Sequence, residues 1–374
     1  MADSLPTDSR LPARLPALDG VRGLAIGLVL TRHLLGQPLD YAGGQPGGWR
    51  YDIWYATRLA WTGVDLFFVL SGFLIAKILL ENRSSPKLFS TFYSRRALRI
   101  LPLYYTMLVA MYLLSHLLHA PTPWQWLFGG QHPWWNYATL TQNFPMGRSG
   151  ITGGNALAVT WSLCIEEQFY LVLPLVIRFT PSRYLPWLFG AALPWAWLAR
   201  AHWNDGRSYY WAPGHADSLL LGCLLAWICL QPAAFAWLQK QGRGLTLLLA
   251  LLAAGIFVIN QMPEFFGETV PSWFALFFGT LVLLAATQPA HPLTKLLSMR
   301  WLRYLGLISY GMYLLHRPIQ ALLSWKLQGS LPLIRSAHDL YIPVLIFLAT
   351  LAAASLSWFL YEKKWVKLGH EVRF

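Results

Sequence analysis

Charge is what this chain has least of. Of its 374 residues only 12% are Asp, Glu, Lys or Arg, about half the ~25% usual for soluble domains. A water-soluble domain of this length could not cover its surface with so few, which excludes an ordinary soluble or disordered protein and turns most helices toward lipid. Cysteine is scarce as well. Cys164, Cys223 and Cys229 all lie inside apolar stretches, with no CxxC and no histidine at metal spacing. They suit small buried hydrophobes rather than a disulfide framework or a metal centre, and no metal is expected. The opening residues MADSLPTDSRLPARLP lack the basic and apolar regions of a signal peptide, so the first apolar helix is expected to be retained. No internal repeat is visible, and with it goes the hint of inverted halves found in many transporters.

What the chain has instead is length without charge. Residues 100–147, 218–239, 244–263, 269–294 and 340–361 carry no Asp, Glu, Lys or Arg, and a spanning helix needs ~20 mostly apolar residues. Together with spans interrupted by charge, they predict helices near 17–37, 59–80, 100–119, 159–179, 184–202, 214–232, 244–261, 270–289, 304–326 and 341–361. The expected fold is all-α and polytopic, with about ten transmembrane helices. A transmembrane domain over 17–361 would sit between tails at 1–16 and 362–374. The loop 120–158 is the longest connection. Its Trp124, Trp126, Trp134 and Trp135, followed by GRSGITGGN, suit the outer interface.

The formal charge of +13 would suggest nucleic acid on a soluble chain. Here it sorts by side. With both termini cytoplasmic, 20 of the 29 Lys and Arg fall in inner segments, among them Arg10, Arg14, Arg22, Arg95, Arg96, Arg99, Lys363, Lys364 and Lys367. The surplus is thus a topology signal, and no nucleic-acid partner is expected.

Charges inside spans are expensive and mark candidate sites. The first helix carries Asp19, Arg22 and His33. In unbroken α geometry Arg22 and His33 share a face within ~20° and differ by ~16 Å in height, while Asp19 can pair with Arg22. Alone, Arg22 would serve equally as a snorkelling anchor. Depth arithmetic puts His33 in the outer third of a ~30 Å core, with Asp65, Glu166 and Glu167 ~8 to 9 Å below the outer surface. Only one of Glu166 and Glu167 can point fully inward. Ser309, Tyr313 and His316 form a polar stripe in LGLISYGMYLLHRPI, where Pro318 frees a carbonyl, and Tyr310 suits packing. On the inner side, Arg95, Arg96 and Arg99 in FYSRRALRILPLYY match bidentate phosphate recognition, or anionic lipid.

These segments together resemble the acyltransferase 3 family of integral membrane acyltransferases. The resemblance rests on LPALDGVRGLAIGLVLTRHL, GVDLFFVLSGFLI, FYSRRALRILPLYY, WSLCIEEQFYLVLP and LGLISYGMYLLHRPI, in family order from about residue 15 to 325. It implies a ten-helix bundle that moves an acyl group, acetyl in the first instance, from cytoplasmic acyl-CoA to a hydroxyl of a glycan or lipid-linked sugar. A bacterial inner membrane is implied too, and no appended esterase-like domain is expected. Arg96 and Arg99, with Arg95 and Arg22, would hold CoA phosphates, and His33 would be the general base. Glu166 or Glu167, then Asp65, would orient the imidazole or bind the acceptor, supported by Asp19, Ser309, Tyr313 and His316. The segment GHADSLLLGCLLAW matches less well, because an arginine is expected near His215; His215 and Asp217 remain candidates. The alternatives are acylation of a small metabolite such as a macrolide, or a proton-coupled transporter.

Overall fold

Leucine, alanine and aromatic side chains dominate the runs between charges, and they fold as helices. The computed structural model describes residues 11–12, 15–43, 46–117, 127–128, 132–150, 154–203, 207–262, 267–330 and 332–374. Trp124, Trp126, Arg10, Arg14 and residues 151–153 lie outside the described residues. Among the described residues there is no strand. The protein is an all-α, multi-pass integral membrane protein.

Seven helices among the described residues are long and apolar enough to cross a membrane: Trp49–Glu81, Leu88–Leu117, Asn155–Phe179, Ala212–Cys229, Gly242–Gln261, Gly267–Thr287 and Ala337–Glu371. The three further spans expected from sequence do fold as helix, but each departs from a plain apolar rod. Pro16–Thr31 holds Asp19 and Arg22 and runs into a π-turn at Arg32–Gly36. The 184–202 region breaks into Leu185–Gly190 and Ala192–His202. Arg300–Gln328 carries Arg300, Arg303, Arg317 and Lys326, with Pro318 inside it. The count of about ten therefore falls to seven by length and apolarity. Charge within Pro16–Thr31 and Arg300–Gln328, and the break at Ala191, are what set these three apart from plain lipid-facing helices.

The chain builds two compact units from interleaved segments. One unit combines Met1–Ala25, Val64–Leu88 and Gln168–Leu307; the other combines Ile26–Gly63, Phe89–Glu167 and Ile308–Phe374. In the first unit, glycines let helix backbones touch. A Cβ at Gly72 would lie 1.9 Å from the carbonyl oxygen of Leu219, and one at Gly222 would lie 2.2 Å from that of Val69. Small residues at such crossings are how helices pack closely in lipid, where hydrophobicity alone gives no drive to associate. Gly72→Ala is expected to cost roughly 1–3 kcal/mol through overpacking. A drop in the thermal midpoint of the detergent-solubilised protein would register it; an unchanged midpoint would mean the backbones part freely. All three cysteines are buried and free.

In the second unit, the long connection after Leu117 forms short helices at Trp134–Ala138, Asn143–Ser149 and Asn155–Ala158. The residues expected as a C-terminal tail also fold. A π-turn at Trp358–Glu362 leads directly into the helix Lys363–Glu371.

Candidate active site

The π-turn at Arg32–Gly36 delivers His33. A π-turn adds a residue to the helical circuit and is frequent at functional sites. Within the second unit, Nδ1 of His33 lies 2.8 Å from Nε2 of His316. The two rings stack with centroids 4.9 Å apart and an interplanar angle of 16°. On its other side, Nδ1 of His316 lies 2.7 Å from the carbonyl oxygen of Tyr313 and 3.2 Å from that of Met312.

These contacts fix the protons. A carbonyl only accepts, so Nδ1 of His316 carries hydrogen and donates. In the neutral ring Nε2 of His316 is then bare, and it accepts from Nδ1–H of His33. The remaining nitrogen of His33, Nε2, keeps its lone pair. A second group that fixes the tautomer of a base in this way is the logic of a catalytic triad, with an imidazole and a backbone carbonyl in place of the carboxylate.

Polar side chains hold this pair in place. Gln320 donates to the carbonyl oxygen of His33 at 2.6 Å. Its amide oxygen accepts from Arg317 at 2.9 Å, and Arg317 also donates to Gln37 at 2.9 Å and to Asn155 at 2.6 Å. Arg317 is buried, as is His316. Tyr313 donates to the carbonyl oxygen of Val159 at 2.7 Å, which leaves its hydroxyl to accept from Ser162 at 2.7 Å. Ser309 is buried on the same helix one turn earlier, and Tyr310 donates to the carbonyl oxygen of Ile100 at 2.7 Å.

The three arginines of the helix Leu88–Leu117 diverge. Arg95 donates through Nε to the carbonyl oxygen of Val372 at 2.9 Å and lies 4.9 Å over the ring of Phe374. Arg99 lies 5.2 Å over the ring of Trp358, and its charge acts on Glu362 and Tyr310. The charge of Arg96 acts on Glu167, next to Glu166. The imidazole of His33 thus bonds to His316, and Glu167 lies within the field of Arg96.

The remaining candidates belong to the first unit. Arg22 pairs with Asp19 at 3.2 Å. Asp65 faces His215, with Oδ1 3.5 Å from Nδ1. Arg200 pairs with Asp217 at 3.0 Å and donates to Ser272, which in turn donates to Asp217 at 2.6 Å. Arg200 also donates to the carbonyl oxygen of Gly214, the neighbour of His215, at 2.6 Å. Arg200, Arg317, Gln37, Asn155 and Gln320 were not among the sequence candidates. Arg200 and Arg317 carried a usable signal, the first as the only Asp, Glu, Lys or Arg of Ala192–His202 and the second as a mid-helix charge between His316 and Pro318. The three amides carried none.

A family model described as an acyltransferase domain, the acyltransferase 3 family, matches residues 15–362, and the chain belongs to that family of integral membrane acyltransferases. Among curated proteins it is similar to the O-acetyltransferase OatA of Staphylococcus aureus, 28% identical over 371 residues that cover 93% of this chain and 56% of the relative. It is also similar to the peptidoglycan O-acetyltransferase OatA of Listeria monocytogenes, 28% identical over 370 residues, 92% of this chain and 54% of that protein. The chain spans about half the length of the curated relatives it matches. No solved structure matches it.

Proposed function

We propose that this protein is a membrane O-acetyltransferase that moves an acetyl group from acetyl-CoA to a hydroxyl of a glycan, with His33 as general base. The observation that carries the proposal is the His33–His316 hydrogen bond, which leaves Nε2 of His33 as the basic nitrogen. The acceptor oxygen attacks the thioester carbonyl carbon while its proton passes to Nε2. The tetrahedral intermediate then expels the CoA thiolate, which takes up that proton, and His33 is restored neutral. Direct transfer fits best, since His33 is hydrogen-bonded to His316 as a base while the hydroxyls of Ser162 and Tyr313 are engaged with each other. The names of the relatives favour a peptidoglycan-type acceptor, the Lys/Arg asymmetry favours cytoplasmic termini, and the family resemblance implies a cytoplasmic donor and a bacterial inner membrane.

Arg96 and Arg99 are assigned to the donor phosphates, because planar guanidinium groups meet phosphate oxygens in pairs. Arg95 holds the segment at Val372 through Nε, and its two remaining nitrogens keep it a candidate for the same phosphates. Incubating membranes with labelled acetyl-CoA is expected to place label on glycan. Solute movement without covalent label would favour the proton-coupled transporter instead. Replacing both Arg96 and Arg99 with Ala is expected to raise the apparent KM for acetyl-CoA about tenfold or more, as loss of charge-assisted contacts predicts. An unchanged donor dependence would return both residues to a topological role.

A further inference from the structure

Acyl transfer makes no use of the helix Lys363–Glu371, whose sequence is KKWVKLGHE. It follows the apolar helix Tyr341–Ser357 through one π-turn, with no intervening loop. At ~100° per residue, Lys363, Lys367, Glu371 and Lys364 occupy one arc of about 100°, and Leu368 lies ~40° beyond it. Those five side chains are exposed, whereas Gly369 is buried and Trp365 and Val366 are half-buried. The helix therefore presents lysines beside an exposed leucine, in line with the exposed Phe359 and Leu360 just before it.

The opposite face is fastened. A Cβ at Gly369 would lie 3.6 Å from Cα of Arg95 and 3.7 Å from Cβ of Leu98, so the helix sits directly on Leu88–Leu117. Thr91 donates to the carbonyl oxygen of Arg373 at 2.9 Å, and Arg95 donates to that of Val372 at 2.9 Å. The lysine face is held in one orientation at the end of a membrane-spanning segment. A fixed amphipathic helix with apolar side chains beside cations is the form that lies in the bilayer interface.

We infer that the outward face of Lys363–Glu371, with Lys363, Lys364 and Lys367 as its ligands and Arg373 alongside, binds the headgroups of anionic phospholipids. Four cations directly after a spanning helix match the polybasic clusters that recognise anionic lipid. The site is separate from His33 and does not depend on acyl transfer. A lipid phosphate is favoured over a CoA phosphate because the exposed Leu368 borders the lysines and suits an acyl chain.

The test uses the full chain purified in neutral detergent, with lipid retention read by native mass spectrometry. Wild type is expected to retain phosphatidylglycerol about tenfold better than K363Q/K364Q/K367Q, with no difference for phosphatidylcholine. Equal retention of phosphatidylglycerol by both proteins would overturn the inference. So would a triple variant that keeps phosphatidylglycerol but loses affinity for free CoA, because the lysines would then belong to the donor. K363R/K364R/K367R keeps the charge and is expected to retain the lipid as wild type does. Loss of lipid in that variant would likewise overturn the assignment.

Discussion

Replacing His33 with Ala is expected to lower acetyl transfer by about 10²–10⁴-fold, the usual contribution of a positioned general base. Expression and membrane insertion should be unchanged, because the ring contributes a hydrogen bond to His316 rather than a large packed surface. The helix that carries it is tied independently, through Gln320 to the carbonyl oxygen of His33 and through Gln37 to Arg317. Transfer of label from acetyl-CoA to glycan, normalised to the amount of inserted protein, measures the effect. Activity close to wild type would remove His33 from the reaction and leave the histidine pair as a packing contact.

The second large effect concerns stability. Arg200 and Asp217 are both buried, and the guanidinium also donates to the carbonyl oxygens of Gly214 at 2.6 Å and Glu268 at 2.8 Å. Arg200→Met is expected to cost about 3–5 kcal/mol, since it strands a buried carboxylate. Removing the carboxylate as well, with Asp217→Leu, should recover much of that loss, because an apolar pair of similar volume avoids the desolvation penalty. The thermal midpoints of the purified single and double variants decide between the two. A single variant as stable as wild type would mean that Ser272 and the Ser218 amide suffice for Asp217.

Most of the helices were legible because lipid imposes a simple rule, an apolar run of sufficient length. The rule weakens where helices face protein. Pro16–Thr31 holds the Asp19–Arg22 pair and Arg300–Gln328 the buried Arg317, so composition alone reads them ambiguously. Within the site, His33 and His316 stood out as polar residues in apolar runs, and spacing did not pair them. Their direct bond depends on the π-turn at Arg32–Gly36, and no residue type in RHLLG announces one. Depth arithmetic grouped Asp65 with His33 and named no partner for it within its own unit, where it faces His215. Height along a span does not specify direction around it, and the partners of Asp65 were set by helix rotation. The amides Gln37, Asn155 and Gln320 were invisible for a different reason. Uncharged polar residues are common enough in helices that only a buried cation such as Arg317, drawing several oxygens to itself, singles them out.

The two histidines lie 283 positions apart in the chain. At ~5–20 residues per second, roughly 15 to 60 seconds of synthesis separate the emergence of one from the other. During that interval the amino-terminal helix is already made while its proton acceptor is still unwritten message. On the proposed mechanism, catalytic competence is therefore a late event in biogenesis. A chain that ends before His316 would hold His33 without the partner that sets its tautomer.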